Sequence, residues 1–181
     1  INGLSPTEIR QSHSVKFGYV PQKPGMISGT ISENIAIGID KELVDHEMLD
    51  RAIAQANLSD LINSLPDGIH TDIGKRRDEL SGGQLQRIGL ARALYGNPSI
   101  LIMDEATSAL DAKSEHEIHL ALDKLRGTTT VILIAHRLNT VQRSDCVFLM
   151  DSGEIRAEGT FQDLQKSNEA VRNLTKLMSI D

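Results

Sequence analysis

Leu80-Ser81-Gly82-Gly83-Gln84 is followed by a helical pattern, by the apolar run Ser99-Ile100-Leu101-Ile102-Met103, by Asp104-Glu105 and by Ser108-Ala109-Leu110-Asp111. The stretch reads as loop, helix, strand and acidic pair. Ser81 and Gln84 fit a Ser-x-x-Gln capping box, so a helix is predicted to open here. The box does not account for the glycines, each of which costs about 1 kcal/mol relative to alanine within a helix. Two in one first turn make sense where a ligand must approach the backbone closely, and a helix N-terminus is a place where a phosphate can sit. Residues 85–95 continue the helix with Leu85, Ile88, Ala91 and Leu94 on one face, and Gly96 and Pro98 stop it. The apolar run 99–103 predicts a strand buried on both faces of a parallel sheet. Asp104 and Glu105 follow at its C-terminal end, where open α/β sheets place their ligands.

Upstream, residues 1–3 read as a strand end and its turn, and residues 15–20 as a strand ended by Pro21-Gln22. A glutamine at a strand end can offer its amide oxygen to a metal or its amide group to a phosphate. Thr30 and Glu33 form a second capping box. Residues 45–57 carry the helical stripe Met48, Leu49, Ala52, Ile53 and Ala56, and residues 58–65 read as a further helix stopped by Pro66-Asp67-Gly68. Residues 69–79, with the charges Lys75-Arg76-Arg77 and Asp78-Glu79, read as a solvated loop.

Downstream, Asp111 caps a helix over 112–126 with Ile118, Leu122 and Leu125 inside, closed by Gly127. Residues 128–135 form another buried strand with His136 at its end, and residues 145–150 a third. Asp151-Ser152-Gly153 is a hairpin turn. Residues 160–181 are helical in pattern, with Phe161, Leu164, Val171, Leu174 and Met178. The strand–helix–strand order over 99–135 implies a right-handed parallel crossover. The fold class is therefore α/β, residues 1–22 and 99–181 forming the core and residues 23–98 a helical subdomain inserted between them.

A chain of 181 residues suffices for one domain with its own core. Its net charge of -6 speaks against a nucleic-acid binder, which carries a basic stripe. The single cysteine, Cys146, has no internal disulfide partner, which points to a reducing compartment, and its apolar surroundings in the sequence place it in the core. No apolar run approaches the roughly 18 residues of a transmembrane helix, and residues 1–15 do not have the make-up of a signal peptide. A membrane role would come through a partner or through chain outside this sequence.

Hydrolysis of a nucleoside triphosphate needs a phosphate cradle, a magnesium ion, a positioned water and a group that senses the γ-phosphate. Asp104 suits the magnesium shell, because a hard cation takes oxygen ligands. Glu105 suits a general base toward the attacking water. His136 suits a hydrogen bond to the γ-phosphate.

Taken in order, these motifs resemble those of the ATP-binding cassette (ABC) ATPases. Gln22 matches the Q-loop glutamine, Leu80, Ser81, Gly82, Gly83 and Gln84 the signature, and residues 100–104 the Walker B strand. Glu105 matches the catalytic glutamate, Ser108, Ala109, Leu110 and Asp111 the D-loop, and His136 the switch histidine. The resemblance implies a P-loop NTPase-like (RecA-like) parallel-sheet core with an inserted helical subdomain. It implies ATP and Mg2+ as ligands, Gln22 and Asp104 at the metal, and Glu105 and His136 as the catalytic pair. Two cassettes of the family pair head to tail, so Ser81 and Gly83 of the signature would serve a nucleotide held by a partner cassette, with Asp104, Glu105 and His136 serving the chain's own.

The short span between Gln22 and Leu80 leaves no room for long coiled-coil arms. The Thr30-to-Ile35 pattern, Pro66-Asp67-Gly68 and Ala135-His136-Arg137-Leu138 resemble exporter-type cassettes. In that group the cassette works with a transmembrane domain from the cytoplasmic face of a membrane. Two departures stand out. Gly74 is kept from the family's Gly-Glu-x-Gly, but Lys75 stands where Glu is usual and Arg77 where Gly is usual. No Gly-x-x-x-x-Gly-Lys-Ser/Thr P-loop occurs in the sequence, so the domain is expected to be N-terminally truncated here and inactive as cut. Two rivals share these residues: a non-catalytic module lending its signature loop to a partner cassette, and a soluble ABC ATPase of translation or repair.

Overall fold

Alternating apolar side chains set the register of the central sheet. In the computed structural model, which describes residues 16–76, 79–106 and 110–178, β1 (Phe17–Val20) and β2 (Ile100–Asp104) run parallel. Phe17 lies opposite Ile100 and Val20 opposite Met103. β3 (Thr130–Ile134) flanks β2 on its other side. Val20, Leu101 and Met103 are fully buried. The predicted two-sided burial is not found, because the opposite face, with Phe17, Tyr19 and Ile132, stays about half exposed. Among the described residues that face has no complete cover, and apolar composition alone does not supply one.

Between β1 and β2 the described residues form the α-helices α1 (Ile31–Ile35), α2 (His46–Gln55), α3 (Ser59–Ser64), α4 (Ile73–Arg76) and α5 (Gly82–Tyr95). The capping box of Thr30 and Glu33 closes on α1 as expected. At the start of α2 the Asp45 carboxylate accepts from the Met48 N–H, a cap not singled out from the sequence. α5 is buried more fully than one stripe allows, with Ile88, Gly89, Leu90, Ala91 and Leu94 all inside. It lies between α1 and α2 on one side and β1 on the other, so two faces need apolar residues. Its stop also differs in detail. Gly96 keeps an ordinary φ of -73°, and Asn97 takes the left-handed turn at φ 51°, a conformation asparagine tolerates.

The stretch read as a solvated loop is partly core. The Ile31 N–H donates to the Thr71 carbonyl at 3.0 Å and the Ile73 N–H to the Gly29 carbonyl at 2.8 Å. This clip carries Thr71 and Ile73 into the interior, where both are buried. Arg77 and Asp78 lie outside the described residues, as do residues 1–15.

After β2 comes α6 (Ala112–Asp123), capped by Asp111, with Ile118 and Ala121 buried. Asn57, past the end of α2 at φ 57°, ties the two helices together. Its amide donates to Glu117, its amide oxygen accepts from Lys124 Nζ at 3.1 Å, and its carbonyl accepts from Arg87 Nη1 at 2.8 Å.

The described residues divide into two units that part between Leu133 and Ile134. The second contains α7 (Leu138–Gln142), β4 (Val147–Asp151), β5 (Glu154–Gly159), α8 (Phe161–Ser167) and α9 (Glu169–Met178). β4 and β5 pair antiparallel as a two-stranded ribbon. Ser152 at φ 51° and Gly153 at φ 80° make the predicted tight turn, with two left-handed central residues. β4 is not a buried strand: Phe148 and Met150 are 54% and 64% exposed, because the ribbon has a partner along one edge and little packing over its faces. Cys146 is likewise exposed, not in the core, since it precedes the thinly covered β4. The C-terminal helical pattern is broken at Asn168, whose side-chain oxygen accepts from the Ala170 and Val171 N–H groups and starts α9. No helix of the described residues is long and apolar enough to cross a membrane.

Candidate functional site

The C-terminal end of β2 carries the acidic pair, and its neighbour β1 carries the groups that hold it. Glu105 has φ 46°, a left-handed conformation rare outside glycine. Such a residue costs about 1–3 kcal/mol and collects at functional sites. The reversal ends the strand at Asp104. Gln22, just past β1, donates from Nε2 to Glu105 Oε2 at 2.8 Å. Tyr19 lies opposite Ile102 in the register, so its side chain shares a face with Asp104. Its hydroxyl donates to Asp104 Oδ2 at 3.3 Å. Partial desolvation first, then the Asp104 charge and hydrogen bond, push the Tyr19 phenol above its usual pKa. It stays protonated and a donor at neutral pH.

The donor set suits a hard divalent cation. Asp104 and Glu105 carry carboxylate oxygens, and the side chain of Gln22, held on Glu105, carries an amide oxygen beside them. No cluster of three or more His, Cys, Asp or Glu side chains is gathered as a metal nest among the described residues. Magnesium is normally held by one or two carboxylates, with substrate phosphates and waters completing the shell. The residues present therefore fit Mg2+ in company with a phosphate, and do not form a stand-alone cage.

The Ser81–Gln84 turn opens α5 as read from the sequence. The Ser81 N–H donates to Gln84 Oε1 at 2.8 Å and the Gln84 N–H to Ser81 Oγ at 3.2 Å. Leu80 packs against the core and anchors the turn. Ser81 and Gly82 are exposed, whereas Gly83 is buried. The two glycines therefore differ: the first is open to a ligand and the second faces the protein.

The same helix grips the segment that holds Gln22. Gln86 Nε2 donates to the Pro21 carbonyl at 3.1 Å, and Arg92 Nη1 donates to the Gly25 carbonyl at 2.7 Å. Between them a Cβ on Gly89 would come within 2.6 Å of the Pro24 ring. Arg92 also reaches the Asn34 carbonyl from Nε at 2.7 Å, and Asn34 Oδ1 from Nη2 at 3.2 Å. Burial of Asn34 and of part of Arg92 draws the guanidinium pKa downward through desolvation. Residues 86, 89 and 92 recur every third position, so one stripe of α5 holds residues 21–25 along their length.

The structure thus brings Gln22 together with Glu105 and sets Asp104 beside Tyr19. Leu110 is half-buried, and Asp111 is exposed at the cap of α6. Ser108 and Ala109 lie outside the described residues. His136 belongs to the second unit, exposed, two residues ahead of α7. Tyr19, Gln86, Gly89 and Arg92 are not among the residues singled out from the sequence. Gly89 carried a signal: a glycine inside a helix, at about 1 kcal/mol, marks a close approach.

A family model described as ABC transporter matches residues 1–108. The chain is 42% identical, over 99% of its length, to the ABC multidrug transporter mdr1 of Aspergillus fumigatus, of which it covers 13%. It is 44% identical, over 89% of its length, to the ABC-type transporter MDR1 of Aureobasidium melanogenum, of which it covers 12%. The chain therefore spans about an eighth of these curated relatives. Among solved structures, that of a bacterial Atm1-family ABC exporter with ATP bound is similar at a TM-score of 0.80 and 35% identity, covering 94% of this chain and 29% of that one. The fold is the P-loop NTPase-like α/β fold that this structure shares.

Proposed function

Because the chain belongs to the ABC transporter family, we propose that it is the larger, C-terminal part of an exporter-type nucleotide-binding domain that hydrolyses ATP with Mg2+. The multidrug-transporter name of one relative and the exporter title of the structural neighbour support that branch. The observation that carries the catalytic reading is the Gln22–Glu105 hydrogen bond at a left-handed residue closing β2. A strained carboxylate held by a strand-end amide, next to a second carboxylate, is what a positioned base and metal ligand require.

In this reading Asp104 and Gln22 would hold the cation, and Tyr19 steadies the Asp104 carboxylate through its Oδ2. Magnesium, when bound, neutralises charge on the β- and γ-phosphates. Glu105 accepts the proton of the attacking water, and Gln22 keeps its carboxylate aimed. His136 donates to the γ-phosphate. The Ser81–Gln84 turn presents the α5 N-terminus to the nucleotide of a second cassette paired head to tail, with Ser81 and Gly83 serving that nucleotide. The residues around Gln22 and the helical segment transmit the event to a transmembrane domain at the cytoplasmic face of a membrane. No nucleic acid takes part.

The test is ATP turnover by the full protein. Glu105→Gln lowers it by about 10²–10⁴, the loss expected for a general base, while ATP binding persists. Wild-type turnover in that variant assigns the base elsewhere. The 181-residue chain by itself, which holds no P-loop sequence, turns over no ATP in this account. Hydrolysis by it that Glu105→Gln abolishes contradicts the account.

A further inference from the structure

The glycines that open α5 are not equivalent. A Cβ on Gly82 would meet nothing within 4 Å, whereas a Cβ on Gly83 would overlap both Cβ and Oγ of Ser114. Ser114 stands in the first turn of α6 and is held there from two directions. Its N–H donates to Asp111 Oδ1 at 2.9 Å and its hydroxyl to Asp111 Oδ2 at 2.9 Å. Rotating the hydroxyl away would not relieve the overlap, because the Ser114 Cβ itself fills the place. Only a shift of the α6 N-terminus relative to α5 would make room.

We propose that Ser114 is a positioning residue for the Ser81–Gln84 turn: it seats in the notch left by the missing side chain of Gly83 and ties that turn to Asp111. The turn that faces a nucleotide and the residue that ends the Ser108–Asp111 segment are then held at one spacing. Ser114 touches no phosphate and acts through Gly83. Gly82 is left open on its side-chain face, whereas the side-chain space of Gly83 belongs to Ser114, so this contact sets where the Gly83 backbone lies in the turn. The proposal rests on the nucleotide reading of Ser81–Gln84 given above.

The experiment compares the full protein with Gly83→Ala, with Ser114→Gly and with both, reading ATP turnover, equilibrium ATP binding and the thermal midpoint. Gly83→Ala is expected to lower kcat by roughly 10²-fold, the scale of a displacement of about 1 Å at a reacting site, with ATP binding unchanged. The double variant returns to the level of Ser114→Gly alone, because the emptied place accepts the new methyl group. A double variant as slow as Gly83→Ala overturns the proposal, since the added methyl group then acts elsewhere than on Ser114. A parallel fall in ATP binding and kcat overturns it too. Where the unsubstituted protein shows no turnover, the nucleotide reading fails by itself, and the contact is judged on the midpoint. Recovery of the Gly83→Ala loss by Ser114→Gly supports the contact, and no recovery overturns it.

Discussion

Replacing Arg92 by glutamine removes its hydrogen bonds to Gly25 and Met26, after Gln22, and to Asn34 on α1, and the cost follows from where the acceptors lie. Asn34 is fully buried, so its backbone carbonyl loses the 2.7 Å bond from Arg92 Nε with no water to replace it. An orphaned buried acceptor costs about 1–3 kcal/mol. Asn34 Oδ1 loses Arg92 Nη2 but keeps the Ile27 N–H at 2.9 Å, and the Gly25 carbonyl, on an exposed residue, returns to water. These two add about 1 kcal/mol, for a total of about 2–4 kcal/mol. At about 2–4 °C per kcal/mol for a chain of this size, the thermal midpoint of the unit holding α5 falls by roughly 5–15 °C. Circular dichroism melts of the two proteins at equal concentration measure it. Arg92→Lys should lie between them, because an ammonium reaches one carbonyl but lacks the planar fork that spans both. A midpoint for Arg92→Gln equal to that of the unsubstituted protein refutes the reasoning, and a lysine variant as stable as arginine refutes the fork.

The grip of α5 on residues 21–25 makes a second prediction. Gly89→Ala drives a methyl group into the Pro24 ring and should cost about 1–3 kcal/mol by overpacking. Pro24→Ala should restore most of the loss, and a Gly89→Ala protein melting like the parent would show that the ring simply moves aside. The capping box at Thr30 gives a pH dependence. Hydrogen bonds from Lys41 first, then from Thr30, hold the Glu33 carboxyl at about 2, below its ordinary 4.5. The folded state therefore favours the carboxylate; its contribution is complete above about pH 4.5 and disappears as the pH falls through about 2. Acid titration of stability should be shallower over that window in Glu33→Gln than in the parent, and parallel curves would count against the assignment.

What could be read from the sequence is what depends on near neighbours along the chain. The caps at Thr30, Ser81 and Asp111 are bonds to a residue three positions on, so these helix starts were legible. The pairing of a strand end with Asp104 and Glu105 was legible because chain order and strand periodicity together fix it. What depends on packing across the fold was not. Ile73 is buried because residues 71–73 pair with residues 29–31, a bond between distant segments. Tyr19 reaches Asp104 only because β1 lies beside β2 in that register. The doubled glycine was read as room for a ligand, yet only the surroundings separate the open Gly82 from the packed Gly83. Cys146 and the apolar positions of β4 were expected inside, and a run of apolar residues cannot tell which of its faces will be covered.

The central claim is that the chain carries two half-sites, Ser81–Gln84 for a partner's nucleotide and Asp104–Glu105 for its own. Mixed pairs of the full protein test it most directly, with Ser81→Arg to block the turn and Glu105→Gln to remove the base. If the halves face opposite ways, a pair with Ser81→Arg in one copy and Glu105→Gln in the other keeps one intact site and continues to turn over ATP. A pair with both substitutions in one copy and none in the other keeps no intact site and falls silent. Turnover in the second pair with silence in the first would contradict the claim, because each site would then be complete within a single copy.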